Sequence, residues 1–267
     1  MGKKAKSAIA TRRRNPAVRK AATATAAALP NAPGVLARLM SLGNAATAEV
    51  KLRFFKTGPG EYGEGDKFIG TRAPALRQLA RDLRGAGIVV ALPLLKSGWH
   101  EARSLGLMLL VNLYARTDES TQKVIYDLYL KSTKFINGWD LVDLSAEHIV
   151  GAWLADKPGE RKRILNRLAR SDSLWERRIA MLATFHYIKQ GEPTETFRIA
   201  EILLKDNEDL IHKAVGWMLR EVGKRIGEAQ EESFLKKHYR EMPRTMLRYA
   251  IERFAEPKRK KYLAGLI

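Results

Sequence analysis

The sequence predicts an all-α fold, an α-solenoid of HEAT-like helical repeats that forms a curved, concave surface. Apolar residues recur at helical spacing, as at Leu105, Leu109 and Leu113, and alternating strand patterns are hard to find. Breakers such as Gly138 and Pro158 divide the chain into helices of about 10 to 18 residues. Antiparallel helix pairs then repeat roughly every 35 to 45 residues, which is typical of helical repeats. Because the units share little sequence identity, a less regular helical domain is the alternative.

Composition narrows the class of partner. The chain has 267 residues, 45% of them hydrophobic, and a net charge of +19 from 48 Lys and Arg against 29 Asp and Glu. Such an excess is typical of proteins that bind nucleic acid or an anionic membrane. The absence of cysteine excludes disulfides and cysteine-ligated metals, and the five histidines lack metal-site spacing, so we expect no metal and no cofactor. No apolar run approaches the roughly 18–20 residues that span a bilayer, so we expect no membrane partner.

Residues 1–34 are predicted to form a separate, disordered basic tail, and residues 35–267 the folded domain. The tail holds eight Lys and Arg residues and no acid. It favours an arm that contacts DNA phosphates, with an organelle transit peptide or a passive solubilising segment as alternatives. We expect a bacterial, cytoplasmic, nucleoid-associated protein, unless the tail directs it to an organelle.

A glycine-rich segment, residues 54–70, interrupts the helical pattern. It has five glycines between Gly58 and Gly70. Backbone N–H groups of such loops can approach phosphates. However, no GKS or GKT follows, and no strand precedes it, which excludes a P-loop and a dinucleotide fingerprint. On its own the segment is predicted to be a flexible connector.

A short aromatic and acidic segment follows the break at Gly138. Trp139 and Asp143 are four residues apart, so they share one face near the start of a helix predicted to run to about Leu154. Acidic residues there also suit the helix dipole, and a tryptophan on a core face is ordinary. Alternatively, the ring packs on a sugar and the carboxylate stabilises positive charge at its anomeric carbon.

Two further segments combine tryptophan with cations. Trp175 and Arg178 lie on one face near a helix start, where a solvated basic turn is the plain alternative. Further on, Lys213, Trp217 and Arg220 lie along one helical stripe that continues to Lys224. A protein core would not tolerate unpaired cations beside the ring. The stripe therefore predicts a nucleic-acid surface.

Taken together, these segments resemble the AlkD-like DNA alkylation repair family. The resemblance covers roughly Val35 to the C-terminus and depends on four strings in the family's order: FFKTGPGEYGEGDKFIG, GWDLVD, LWERRIA and KAVGWMLREVGK. It implies a glycosylase that hydrolyses the N-glycosidic bond of N3-alkyladenine and N7-alkylguanine in duplex DNA. It also implies action without the base extrusion that most base-processing enzymes use. We expect a monomer.

The resemblance also assigns roles. It matches the family's catalytic aspartate to Asp143, its DNA-facing tryptophans to Trp139 and Trp217, and its active-site arginine to Arg178. Neighbouring cations are expected to contact DNA, namely Lys56, Arg177, Lys213, Arg220 and Lys224. The alternative is a noncatalytic helical-repeat scaffold that binds nucleic acid or protein. Convergence of the four matched residues on one concave patch would favour the enzyme.

Overall fold

The computed structural model describes residues 31–267 as helices joined by short turns, which confirms the predicted α-solenoid of helical repeats. Within this range the only β-type pairing is an isolated bridge between Lys67 and Trp99. The α-helices are α1 (Ala32–Ser41), α2 (Ala45–Phe54), α3 (Ala73–Asp82), α4 (Ile88–Leu95), α5 (His100–Tyr114), α6 (Glu119–Lys131), α7 (Trp139–Asp143), α8 (Pro158–Ala169), α9 (Leu174–Ala183), α10 (Phe185–Ile188), α11 (Thr194–Ile202), α12 (Asp209–Arg225), α13 (Glu228–His238), α14 (Arg244–Ala250) and α15 (Glu256–Ala264).

The folded body begins slightly earlier than predicted. Asn31 caps α1 by accepting a hydrogen bond from the Gly34 N–H, and Pro33 occupies the first turn instead of closing the tail. A proline is well tolerated in the first turn because the N–H groups of that turn have no acceptor within the helix, so the N–H that proline lacks is not missed. The predicted disordered tail otherwise lies in residues 1–30, outside the described residues.

Consecutive helices pack as hairpins around one continuous apolar core. Close pairs are α4 with α5, α8 with α9, and α12 with α14. Gly216 lets α12 approach α14, since a Cβ at this position would collide with the Met246 carbonyl oxygen. None of the helices in residues 31–267 combines the length and the hydropathy needed to cross a bilayer.

The helix predicted to run from Trp139 to about Leu154 is interrupted. After α7 it is broken at residues 144–145, and the chain is helical again over residues 146–153, with one π-helical turn at Glu147–Gly151. Gly151 lies so close to the Ala183 carbonyl of α9 that it has no room for a side chain. Single π turns are frequent at functional sites. Here the turn follows directly on the segment that carries Trp139 and Asp143.

Candidate active site

One cleft of about 830 Å³ is bounded by the glycine-rich segment, the start of α7, the middle of α9, α12 as far as Arg220, and α14. Its aromatic lining comprises Phe54, Tyr62, Trp139, Trp217 and Tyr249. Its cationic lining comprises Lys56, Arg178, Lys213 and Arg220. Six residues singled out in the sequence therefore surround one space, although the segments that supply them lie far apart in the chain.

Asp143 is not itself a lining residue of the cleft, but it is bound to Arg178, which is one. The Arg178 Nε and Nη2 donate to the two carboxylate oxygens of Asp143 over 2.9 and 2.8 Å, and Nη1 donates to the Leu210 carbonyl over 2.6 Å. A planar guanidinium that makes two parallel bonds to a carboxylate fixes its orientation. The Asp143 side chain retains 18% of its exposure while that of Arg178 retains 5%. The carboxylate is thus held rigidly but remains accessible.

The surroundings of Asp143 disfavour its charge. Burial raises the pKa of this carboxyl above its ordinary value, the Arg178 guanidinium opposes the rise, and the negative charge of Asp140 adds to it. The net result is a raised pKa. A partly desolvated carboxylate interacts more strongly with a nearby positive charge than one in water does. Asp143 is therefore suited to stabilise a cation that forms beside it.

Trp139 belongs to an aromatic stack. Its ring lies on Phe55 with centroids 5.5 Å apart and an angle of 15° between the planes, and Phe54 meets it edge-on at 6.0 Å. Phe55 in turn stacks on Phe68 at 4.9 Å. Phe54 is 62% exposed at the cleft. Trp139 is therefore held from behind while the front of the cleft offers a free aromatic surface.

The stripe on α12 contributes a second wall. Lys213, Trp217 and Arg220 all line the cleft, whereas Lys224 does not. Lys213 pairs with Asp209 over 2.7 Å, and Arg220 pairs with Glu252 of the 3₁₀ turn after α14. Both cations therefore already have acidic partners. Lys224 lies 3.8 Å from Glu221 and is half exposed.

Arg177 also lies outside the cleft lining. Its Nε donates to Asp206 over 2.6 Å, and its Nη1 donates to the carbonyls of Ser171 and Asp172. Adjacent residues of a helix point about 100° apart, so Arg177 and Arg178 cannot face the same space. The bonds of Arg177 instead tie the start of α9 to the loop before it and to the turn before α12.

The glycine-rich segment is a structured wall rather than a connector. The Gly58 N–H donates to the Glu61 carboxylate over 2.8 Å, and the Gly60 N–H donates to Glu64 over 2.9 Å. Lys56 lines the cleft and has a positive φ of 52°. Gly60, Gly65 and Gly70 also have positive φ angles, which glycine adopts without strain, and these angles let the segment fold back on itself.

Several lining residues were not predicted from the sequence. They include Phe54, Tyr62 and Tyr249 among the aromatics and Glu61, Glu208 and Asp209 among the acids. Burial raises the pKa of Tyr62, and the nearby Lys213 ammonium partly offsets this rise. The alternation of aromatic and acidic residues with glycine in the segment was a signal for a binding wall. Within residues 31–267, no group of acidic or histidine side chains is arranged to hold a metal ion.

Comparisons with known proteins agree with this fold. The family model described as DNA alkylation repair enzyme matches residues 35–254. A solved structure, a predicted DNA alkylation repair enzyme from Enterococcus faecalis, superposes with a TM-score of 0.62 at 18% identity, and the match covers 80% of this chain and 97% of that one. At this identity the superposition shows a shared fold alone. No curated protein matches the chain significantly. Since the family model covers most of its length, the chain belongs to the DNA alkylation repair enzyme family.

Proposed function

We propose that the protein is a DNA glycosylase that hydrolyses the N-glycosidic bond of alkylated purines in duplex DNA, with N3-alkyladenine and N7-alkylguanine as substrates. The observation that carries this proposal is the pair of Asp143 and Arg178 at the edge of a cleft walled by Trp139 and Trp217. The carboxylate is rigid, partly dry and accessible, and the flanking rings provide flat apolar surfaces for a sugar.

The chemistry needs little more than this arrangement. An N3- or N7-alkylated purine carries a formal positive charge, so the base departs without a proton donor. The remaining barrier is the formation of an oxocarbenium-like sugar, and Asp143 stabilises that charge and positions the water that attacks it. By analogy with one oxyanion donor, such a charge contact is worth about 3 kcal/mol, or roughly 100-fold in rate.

The other cleft residues have supporting roles. Arg178 keeps the Asp143 carboxylate in one orientation through its two bonds. Trp139 and Trp217 position the deoxyribose and the backbone at the lesion. Lys56, Lys213 and Arg220 contact phosphates, which sets the register of the duplex without reading its sequence.

The test is release of free N7-methylguanine and N3-methyladenine from methylated duplex DNA. We expect release by the wild-type protein and a loss of roughly 100-fold in the single-turnover rate of Asp143→Asn, with duplex affinity retained. Asp206→Asn is the matched control, because Asp206 also pairs with an arginine of α9, and that pair lies outside the cleft. It should retain the wild-type rate. Near-normal release by Asp143→Asn would remove the assignment, and no release by the wild-type protein would favour a noncatalytic DNA-binding scaffold.

A further inference from the structure

Side chains at the start of α5 bind the glycine-rich segment through hydrogen bonds and ion pairs. The His100 Nδ1 lies 2.7 Å from an Asp66 carboxylate oxygen, and the Arg103 Nη2 donates to both oxygens of Asp66 over 2.8 Å. The His100 backbone N–H also donates to the Lys67 carbonyl over 2.8 Å. All three side chains of this cluster are almost fully buried. The end of the cleft wall is thus fixed to a long, buried helix.

Glu101 strengthens the same attachment. Its carboxylate accepts hydrogen bonds from the N–H groups of Ile69 and Gly70 over 2.9 and 3.0 Å, and from the Lys51 ammonium of α2 over 2.7 Å. The segment is therefore held at its C-terminal end by consecutive residues of one helix turn, His100 and Glu101.

His100 differs from its neighbours because it also reaches α7. Its Nε2 lies 2.9 Å from a carboxylate oxygen of Asp140, the residue next to Trp139. A neutral imidazole has only one N–H, whereas the imidazolium has two. Two carboxylates, Asp66 and Asp140, can therefore both accept from His100 only when the ring is protonated. The ring then joins the glycine-rich segment to the start of α7.

The same ring lies at the base of the aromatic stack. His100 stacks on Phe68 with centroids 4.6 Å apart and contacts Phe55 at 4.8 Å, and Phe55 carries the ring of Trp139. Gly138, which precedes α7, packs against the imidazole of His100, since a Cβ at this position would lie only 3.1 Å from the His100 Cε1. Hydrogen bonds and stacking therefore connect His100 to the position of Trp139 along two routes.

We propose that His100 is a positioning residue of the cleft, which fixes Trp139 and the glycine-rich segment as one rigid wall against which the damaged nucleotide is aligned. The substrate in this proposal rests on the proposed glycosylase function, but the rigidity of the wall does not. His100 contacts neither Asp143 nor the space of the cleft, so it acts through Trp139 and the segment alone.

The charges around the ring keep this arrangement intact at neutral pH. Burial lowers the pKa of His100, but the hydrogen bonds and negative charges of Asp140 and Asp66 outweigh it and raise the pKa to about 9. This holds although the Arg103 guanidinium lies 3.4 Å from Nδ1. The wall should therefore loosen as the pH rises through about 9, when one of the two carboxylates loses its donor.

The experiment combines kinetics with a readout that needs no activity. His100→Gln, whose single amide nitrogen cannot bridge Asp66 and Asp140 on opposite sides of the ring, and Asp140→Ala, which removes only the acceptor on α7, are compared with the wild-type protein. Single-turnover release on methylated duplex is measured as a function of enzyme concentration. We expect the maximal rate to fall about tenfold or more while the half-saturating concentration changes little, because misalignment costs rate rather than phosphate contacts. His238→Gln is the control and should keep the wild-type rate, since His238 ends α13 and faces Glu201 of α11, away from the cleft lining.

Amide hydrogen exchange of residues 56–66 and of α7 decides the structural part. Exchange of residues 56–66 should become faster in His100→Gln, and exchange of α7 should become faster in Asp140→Ala, while the melting temperature and the exchange of α12 stay close to wild type in both variants. Wild-type exchange rates in these two regions, or variants that keep the full maximal rate, would overturn the proposal. If the wild-type protein releases no alkylpurine, the exchange result still tests the wall, so the two proposals fail separately.

Discussion

Replacement of Glu231 by methionine should stabilise the protein at neutral pH. Glu231 lies on α13 with 1% of its surface exposed, its Oε1 has no hydrogen-bond partner, and its Oε2 packs against Gly223 of α12. Burial raises the pKa of this carboxyl to about 9, and the charges of Glu228 and Glu232 add to the rise. Methionine has a similar length and no polar atom that needs a donor, so it fits the site without leaving a buried group unpaired.

The magnitude follows from the pKa difference. Below the ordinary value of 4.5 the carboxyl is protonated in both the folded and the unfolded chain, so its ionisation adds no cost to folding. Above 4.5 the unfolded chain ionises while the folded chain keeps its proton, so the free energy of unfolding falls with rising pH until about 9. At pH 7 the accumulated loss is about 3 kcal/mol, since each pH unit corresponds to roughly 1.4 kcal/mol.

Urea unfolding at pH 5, 6 and 7 measures this effect separately from that of His100. The pKa of His100 is raised to about 9 from 6.5, so its stabilisation is complete below pH 6.5 and is lost only as the pH rises towards 9. We expect the stability gain of Glu231→Met to be about 3 kcal/mol larger at pH 7 than at pH 5. Glu221→Met is the control, and it should destabilise because it leaves the Arg225 guanidinium, 2.7 Å away, without its partner. A Glu231→Met gain that does not grow with pH, or a loss at pH 7, would refute the reasoning.

Three further predictions concern the cleft and the tail. Because burial raises the pKa of Asp143, single-turnover release should begin to fall on the acidic side at a pH above that of an exposed aspartate, and a pH–rate profile measures the midpoint. Trp139→Ala and Trp217→Ala should each slow lesion processing more than they weaken binding to undamaged duplex; a large loss of melting temperature would instead assign the ring to the core. Deletion of residues 1–30, which keeps the Asn31 cap, should lower affinity for any duplex and reduce its salt dependence without changing the release rate; equal affinities and salt slopes for both forms would exclude a DNA-binding arm.

Local patterns were sufficient to predict one group of cleft residues. Trp139, Trp217 and Arg220 each lie on a helix face set by three- or four-residue spacing, and the structure brings them to one cleft. The same patterns could not separate Arg177 from Arg178. Both are cations in the first half of α9, and which of them is held outside the cleft depends on partners distant in the chain, such as Asp206 for Arg177.

The contacts of His100 with two carboxylates could not be predicted from the sequence, because its partners are distant in the chain. Asp66 and Asp140 lie on either side of His100, 34 and 40 residues away in sequence. Scattered acids and a lone histidine carry no spacing signal. The same holds for the interruption after α7, since a π turn depends on how closely Gly151 can approach α9.

The charges of the cleft limit what its cations can contribute to DNA binding. A phosphate that binds Lys213 or Arg220 meets a cation that already pairs with a carboxylate, Asp209 or Glu252. The carboxylate repels the phosphate, so the net gain from each contact is smaller than the formal charge of the cation suggests. Asp209, together with Glu61 and Glu208, also lines the cleft. A neutral base adds no positive charge beside these carboxylates, whereas a cationic alkylated purine does. Under the proposed function, the acids that weaken general duplex affinity therefore favour damaged over undamaged sites.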